Sequence, residues 1–153
     1  MRPSDHVYAR LSIRAPASFL RVMGRLNVPI YRLSRGRLMN KVGAGPVLLL
    51  TSIGRRSGQP RTAPVLYLAD GERLVVVSSN GGNHNAPGWS YNLKANPDAE
   101  VQIRGERRLV RARVAEGPER EEVWRAMNEL YAGFEDYETN VSREISVFVL
   151  EPR

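Results

Sequence analysis

Three arginines and a serine lie within seven residues of one short segment, and together they could bind an anion. Arginine presents a planar, permanently charged set of donors that matches the oxygens of phosphate or carboxylate. The glycines of the segment allow a sharp turn that brings backbone N–H groups close to a ligand. The segment therefore predicts an anion site, although a solvated basic turn has the same composition. It consists of Gly54, Arg55, Arg56, Ser57, Gly58, Gln59, Pro60 and Arg61.

Two strands are predicted to hold this segment. An apolar run, residues 47–53, precedes it, and a second run, residues 62–68, follows it. Further apolar or alternating runs predict strands at 73–79, 99–104, 107–115 and 145–150. Helices are predicted at 88–95 and after Gly117-Pro118. Six mostly antiparallel strands with helices between hairpins indicate an α+β fold built on a small barrel.

Composition excludes several classes of site. The chain has 153 residues, the size of one domain with an ordinary core. The absence of cysteine excludes disulfides and cysteine-type zinc sites, and two histidines are too few for a histidine metal cluster. No apolar run approaches the ~20 residues of a membrane span, and no signal peptide is visible. We therefore expect a cytosolic protein without a metal centre.

The net charge of +7 is concentrated near the N-terminus. Residues 1–45 contain nine Arg or Lys and one Asp, hence +8, and the remainder contains fourteen basic and fifteen acidic residues, hence −1. We predict a basic arm, residues 1–45, attached to a nearly neutral domain, residues 46–153. The excess charge indicates an acidic partner. A nucleic acid is disfavoured, because the arm contains no recognised nucleic-acid-binding motif.

The arm contains an amphipathic pattern. Apolar residues at helical spacing predict a seam made of Phe19, Met23, Leu26, Ile30 and Leu33. A second stripe consists of Arg14, Arg21, Arg25 and Arg32. Pro29 should interrupt this segment, which predicts two short helices. The seam either packs on the domain or lies on an anionic membrane surface, at the inner face of the cell membrane.

Several motifs occur together in the body of the chain: GRRSG at 54–58, SSNGG at 78–82, PGWSYNLKANP at 87–97 and SREI at 142–145. In combination they resemble the deazaflavin-dependent nitroreductase family, over about residues 46–151. The resemblance implies a split β-barrel that binds coenzyme F420 and transfers hydride from reduced F420 to a quinone or nitro acceptor. One position departs from the pattern, because many members have lysine where this chain has Asn80. Asparagine can hydrogen-bond the cofactor there but supplies no charge.

The resemblance also implies where the cofactor binds. Its anionic tail is expected at Arg55, Arg56, Ser57, Gly58 and Arg61, with Pro64 nearby on the following strand. The deazaflavin ring is expected beside Ser78, Ser79, Asn80 and Gly81. Ser79 is the candidate catalytic residue, as a hydroxyl near the reacting ring or the acceptor. The groove is expected to be lined by Pro87, Trp89 and Asn92, with core packing as the alternative for Trp89.

Three aromatic residues, Tyr131, Phe134 and Tyr137, follow the spacing of one side of a helical turn. In the family this region borders the acceptor, so we expect an aromatic lid over a flat quinone, with core packing as the alternative. The alternative function for this chain is a related split-barrel protein that binds FMN or haem, or that carries F420 without turnover. The density of arginine favours the longer anionic tail of F420 over the single phosphate of FMN. The oligomeric state is left open.

Overall fold

The computed structural model describes residues 3–14, 17–42 and 45–153. Its helices are α1 (Pro3–Arg14), α2 (Ala17–Leu33), α3 (Gly88–Ala95), α4 (Gly117–Leu130) and α5 (Gly133–Asn140). Its strands are β1 (Lys41–Val42), β2 (Gly45–Ile53), β3 (Pro60–Asp70), β4 (Arg73–Val77), β5 (Asp98–Ile103), β6 (Glu106–Val114) and β7 (Val147–Pro152). A 3-10 turn spans Asn80–Gly82. None of the helices in these described ranges is long and apolar enough to cross a membrane.

Six of the strands close into an antiparallel barrel in the order β2-β3-β4-β7-β6-β5. The circle is completed where β5 pairs back onto β2, with Leu50 opposite Val101. The predicted class, α+β with a six-stranded split barrel and flanking helices, is confirmed. The two-residue strand β1, which pairs with the start of β2, was not predicted.

The barrel interior is filled by side chains that alternate along the strands. Leu48 and Leu50 of β2 lie in one apolar cluster with Val76, Trp89 and Phe148. The rings of Trp89 and Phe148 meet edge to face, with centroids 5.5 Å apart. α3 packs on the barrel through this cluster, because Trp89 belongs to that helix.

A second core covers the outer face of β4 and β7. Val75 and Val77 of β4 and Val147 of β7 are buried there against Met127 of α4 and Phe134 of α5. Both faces of β4 are therefore buried. This burial explains why its sequence is continuously apolar after Arg73 instead of alternating.

One buried tyrosine fixes α2 to the end of the barrel. Tyr31 is 1% exposed. Its hydroxyl oxygen accepts a hydrogen bond from the N–H of Arg104 at 2.8 Å and lies 3.1 Å from the carbonyl oxygen of Val47, to which it donates. The hydroxyl thus joins α2 to β2 and to the residue that follows β5.

The structure corrects two predictions about this helix. α2 is one helix through Pro29, because the proline is exposed and water can bond the carbonyl that it leaves unpaired. The predicted seam is not the buried face, since Leu26 and Leu33 are 54% and 87% exposed while Tyr31 is buried. The side chains of other predicted seam and stripe residues lie outside the described ones: Arg14, Phe19, Arg21 and Met23.

Helix α1 was not predicted from the sequence. Its inner face carries Asp5, Ala9 and Ile13, with Asp5 2% exposed, whereas Val7 and Leu11 are exposed. A carboxylate and a small side chain on the buried face remove the apolar period that would have indicated a helix. α1 packs on α5 and on the 3-10 turn. The division of the chain at residues 45 and 46 stays a prediction.

Candidate functional site

The loop between β2 and β3 is held in shape by its own hydrogen bonds. The N–H of Gly58 donates to the carbonyl of Gly54, and the N–H of Gly54 donates to the carbonyl of Gln59, both at 2.8 Å. Ser57 Oγ accepts from the N–H of Gln59 at 3.2 Å. Gly58 has a φ of +69°, which glycine adopts without strain. The arginines of the loop therefore extend from a defined turn.

An open cleft of about 300 Å³ lies between this loop and α3. A Cβ atom added at Gly88, the first residue of α3, would meet nothing within 4 Å, so this wall has room for a ligand. The cleft brings together four predicted tail residues and one predicted groove residue with glycines and a tyrosine. Its lining residues are Gly54, Arg55, Arg56, Ser57, Arg61, Gly88, Tyr91 and Asn92.

The cleft carries positive charge that no acidic side chain balances. Within the described part of the chain, Arg55, Arg56 and Arg61 form no ion pair with a carboxylate. The Arg55 guanidinium lies over the ring of Tyr91, 4.6 Å from its centroid, a cation–π contact that supports the side chain from below. Such an array suits a ligand with several negative charges.

Asn92 ties this loop to α3. Its side chain is buried, and its Nδ2 donates to Ser52 Oγ at 3.1 Å while its Oδ1 accepts from the N–H of Arg55 at 3.0 Å. Both ends of the amide are thus engaged within the protein. The geometry gives Asn92 the role of orienting the loop that carries Arg55.

The second loop, between β4 and α3, carries the predicted ring-binding residues. Ser78 is buried, and its Oγ donates to the carbonyl of Ser146 and accepts from the N–H of the same residue, both at 3.1 Å. Ser79 is 8% exposed and precedes the 3-10 turn. Asn80 Nδ2 donates to the carbonyl of Asn85 at 2.9 Å. The Asn80 amide thus stabilises its own loop.

Arg143, from the segment between α5 and β7, lies under this second loop. Its Nη2 donates to the carbonyls of Ser79 and Asn83, each at 3.2 Å. Burial lowers the pKa of the Arg143 guanidinium below its ordinary value, and the nearby Tyr91 acts in the opposite direction. Arg143 therefore connects the SREI motif to the loop that contains Ser79.

Four residues predicted for the tail or the groove lie away from the cleft lining: Gly58, Pro64, Pro87 and Trp89. Trp89 is 8% exposed and packs in the barrel core, which is the alternative considered for it. Pro87 is buried and caps the start of α3. Pro64 pairs with Leu49 in the middle of the β2–β3 ladder. Contact between these residues and the cofactor stays a prediction.

The aromatic residues predicted as an acceptor lid form a buried cluster. Tyr131, Phe134 and Tyr137 are 1%, 3% and 4% exposed. Tyr131 and Phe134 rings meet edge to face at 5.2 Å between centroids, and the hydroxyls of Tyr131 and Tyr137 lie 3.1 Å apart. They do not share one helix turn, since Tyr131 follows α4 and the other two belong to α5. Their contact with an acceptor stays a prediction.

Helix α1 covers this cluster and the second loop. His6 Nδ1 lies 2.6 Å from Asp136 Oδ2 of α5, and Tyr131 Oη donates to the carbonyl of Asp5 at 3.4 Å. A Cβ atom added at Gly82 would lie 2.6 Å from the Ile13 side chain, so only glycine permits this approach. α1 is therefore part of the wall around the ring-binding loop.

The sequence did not identify Tyr91, Arg143 or α1 as parts of the site. Tyr91 stands between Trp89 and Asn92 in the helical motif, and its proximity to Arg55 follows only from the docking of α3. Arg143 belongs to the SREI motif, but it bonds the carbonyl of Ser79, which lies 64 positions earlier in the sequence. Such distant contacts leave no periodic signal.

Comparison with known proteins identifies the family of the chain. The profile of the family described as F420H(2)-dependent quinone reductase matches residues 22–152. The F420H(2)-dependent quinone reductase Rv1261c of Mycobacterium tuberculosis is 39% identical over 133 residues, which cover 84% of this chain and 89% of that protein.

Solved structures extend the likeness to the fold. The structure of an F420-H2 dependent reductase, FDR-A, has a TM-score of 0.64 and 36% identity, covering 69% of this chain and 94% of that one. A chain described as a domain-swapped dimer has a TM-score of 0.66 and 30% identity, covering 90% of this chain and 100% of its own. The residues that the family profile matches, 22–152, include both loops of the site.

Proposed function

The chain belongs to the F420H(2)-dependent quinone reductase family, and from that premise we propose that the cleft beside α3 binds the anionic tail of F420. The observation that carries the proposal is the set of three arginines, Arg55, Arg56 and Arg61, which surround an open cleft without a carboxylate partner in the described chain. The tail of F420 carries a phosphate and several carboxylates. The cleft therefore fits the group that the family uses.

When bound, F420 supplies the hydride that reduces the acceptor. The residues of this chain then have the tasks of binding, orientation and exclusion of water. Asn92 and Ser52 hold the arginine loop in its place beside α3. Ser79, at the end of β4, is proposed to donate a hydrogen bond to the ring or to the acceptor.

We propose a quinone as the acceptor, placed against the second loop and next to the aromatic cluster of Tyr131, Phe134 and Tyr137. The family description and the relative from Mycobacterium tuberculosis support a quinone. The cluster lies close to that loop, since Tyr137 approaches Gly82. In the structure α1 packs on α5 and on the turn Asn80–Gly82. It therefore covers the side of the loop at which the acceptor would have to enter.

Binding and turnover together test this function. The purified protein is titrated with F420 and, separately, with FMN, and the fluorescence of each is followed. Quinone reduction by reduced F420 is then measured, with a nitroaromatic compound as a second acceptor. We expect tighter binding of F420 than of FMN and turnover of the quinone. F420 binding without turnover of either acceptor would instead identify a carrier, and preference for FMN would overturn the assignment of the cleft.

A second proposal concerns contact with an anionic membrane surface. Leu33, the last residue of α2, is 87% exposed, and Leu38 and Met39 in the segment that follows are 59% and 43% exposed. Arg35 and Arg37 are exposed between them, and neither has an acidic partner in the described residues. Exposed apolar and basic side chains in one segment favour peripheral attachment to acidic lipid. Such attachment would bring the enzyme to lipid-soluble quinones.

A further inference from the structure

Two side chains, Arg143 and Asn140, donate hydrogen bonds to the carbonyl oxygens of the loop between β4 and α3. Arg143 Nη2 donates to the carbonyls of Ser79 and Asn83 at 3.2 Å and reaches that of Asn85 at 3.5 Å. Asn140 Nδ2 donates to the carbonyl of Gly82 at 2.8 Å. The carbonyl acceptors of this loop are thus bonded on one side, by the end of α5 and by the segment between α5 and β7.

The amide groups of the same loop are in the opposite situation. Asn80 and Gly81 have φ values of +48° and +61°, and Ser79 before them is in the right-handed region. A right-handed residue followed by a left-handed one directs successive N–H groups toward a common point, where an electron-rich atom can be bound. Within the described chain, the N–H groups of Asn80 and Gly81 donate to no acceptor. The loop therefore has N–H donors available to a ligand, whereas its carbonyl acceptors are bonded within the protein.

Arg143 has a charge that is not neutralised locally. It forms no ion pair with any acidic side chain of the described residues, and its Nε and Nη1 are inaccessible to solvent without a hydrogen-bond partner. Removal of part of a cation from water without a carboxylate partner is unfavourable for folding. Among the described residues its hydrogen bonds are to the carbonyls of this loop, which indicates that it serves the conformation and the electrostatics of the loop.

We propose that Arg143 is a positioning residue for the cofactor ring. By holding the carbonyls of Ser79, Asn83 and Asn85, it fixes the loop so that the amides of Asn80 and Gly81 face the electron-rich pyrimidine edge of the deazaflavin. Its positive charge then supplements a loop that has Asn80 where many members of the family have lysine. The inference rests on the proposed function, because it assumes that the ring lies beside this loop.

Two substitutions at Arg143 and one matched control test the proposal. Arg143→Lys keeps the charge but replaces the rigid guanidinium by a compact, strongly hydrated ammonium on a flexible stem, which is not held at the position that Nη2 occupies beside the three carbonyls. Arg143→Met removes the charge and keeps most of the apolar stem. The control is Arg120→Met, because Arg120 is also a partly buried arginine that caps a carbonyl, that of Ile145 at 2.9 Å, but it does not contact the loop.

The first measurement needs no cofactor. Hydrogen–deuterium exchange of the hydrogen-bonded amides of this loop, those of Gly82, Asn83 and Asn85, is expected to become at least about tenfold faster in both Arg143 variants and to be unchanged in Arg120→Met. The second is the absorbance of bound F420 together with its dissociation constant. We expect Arg143→Met to weaken F420 about tenfold or more and to reduce the spectral change on binding, with a larger fall in kcat than rise in the quinone KM.

The outcomes separate this inference from the proposed function. If wild-type protein fails to bind F420, the proposed function is wrong regardless of Arg143. If wild-type protein binds F420 while Arg143→Met matches Arg120→Met in loop exchange, spectrum and affinity, then the loop is set without Arg143 and the inference is overturned. Faster exchange with an unaltered spectrum and affinity would also overturn it, because Arg143 would then be structural only.

Discussion

At the scale of single residues, the site divides into groups that can meet a ligand and groups that hold them. Arg56 and Arg61 are exposed at the cleft with no acidic partner among the described residues, so they are available to an anion. Asn92 has both ends of its amide engaged with Ser52 and Arg55. Residue type alone predicted the first group, whereas the second depends on contacts that form only when α3 docks on β2.

Replacement of Arg55 and Arg61 by alanine is expected to weaken F420 binding. Each charged hydrogen bond that is lost costs about 1.5–3 kcal/mol, so the double variant should bind at least tenfold less tightly. Fluorescence titration with F420 measures the change. The control is Arg111→Ala with Arg125→Ala, which removes the same charge from exposed positions outside the cleft. Unchanged affinity in the cleft variant would mean that the tail is held elsewhere.

Phe134→Leu is expected to raise the KM for quinone more than the dissociation constant of F420. Leucine keeps an apolar side chain in the second core but removes the flat ring that would contact the acceptor. Phe148→Leu, in the barrel core, is the matched control, since both rings are buried. Thermal unfolding gives the stability of each variant. Equal loss of affinity for acceptor and cofactor, or a loss of stability alone, would assign Phe134 to the core.

At the scale of elements, the strands were predicted far better than the N-terminal helices. The strands of the barrel alternate or are continuously apolar, and this pattern is visible in the sequence because their neighbours are other strands of the same barrel. α1 and α2 bury Asp5 and Tyr31 while Leu26 and Leu33 are exposed. Tyr31 bonds backbone groups of the barrel, and His6 of α1 bonds Asp136 of α5. Such specific partners cannot be read from periodicity.

Tyr31→Phe tests how α2 is held. The substitution removes one hydroxyl that serves the N–H of Arg104 and the carbonyl of Val47, and both groups lose this partner. We expect a loss of about 1–3 kcal/mol in the free energy of unfolding, measured by urea denaturation. Tyr91→Phe is the control, because Tyr91 is 40% exposed and keeps its ring under Arg55. Equal stability of the two variants would show that the hydroxyl of Tyr31 contributes little.

At the scale of the whole molecule, charge and exposed apolar area lie on the N-terminal side of the chain. The first 45 residues carry +8 and the rest carries −1. The structure changes the interpretation of this asymmetry, because the exposed apolar residues with adjacent arginines include Leu33, at the end of the predicted helical seam, and Leu38 and Met39, beyond it. The segment after α2 is therefore the part of the arm that best matches a lipid surface.

The protein is expected to co-sediment with anionic liposomes at low salt and to be released as salt is raised. Each basic residue near such a surface contributes about 1 kcal/mol, so Arg35→Glu with Arg37→Glu should abolish co-sedimentation. Arg111→Glu with Arg125→Glu changes the net charge equally at exposed positions of the barrel and α4 and should have a smaller effect. Equal loss in both double variants would indicate a general charge effect, and no binding by wild type would leave the arm as a structural cover.

The bond made by Tyr31 also bears on how the protein is made in the cell. Its hydroxyl joins α2 to Arg104, a residue 73 positions later in the chain. During translation α2 leaves the ribosome long before β5 exists, so its anchoring site is absent while β2, β3 and β4 emerge. In that interval β2 can pair with β3 but not with β5, so the barrel is open and its apolar interior residues are accessible to chaperones. Completion of the barrel and capture of the helix are thus expected to coincide, late in synthesis.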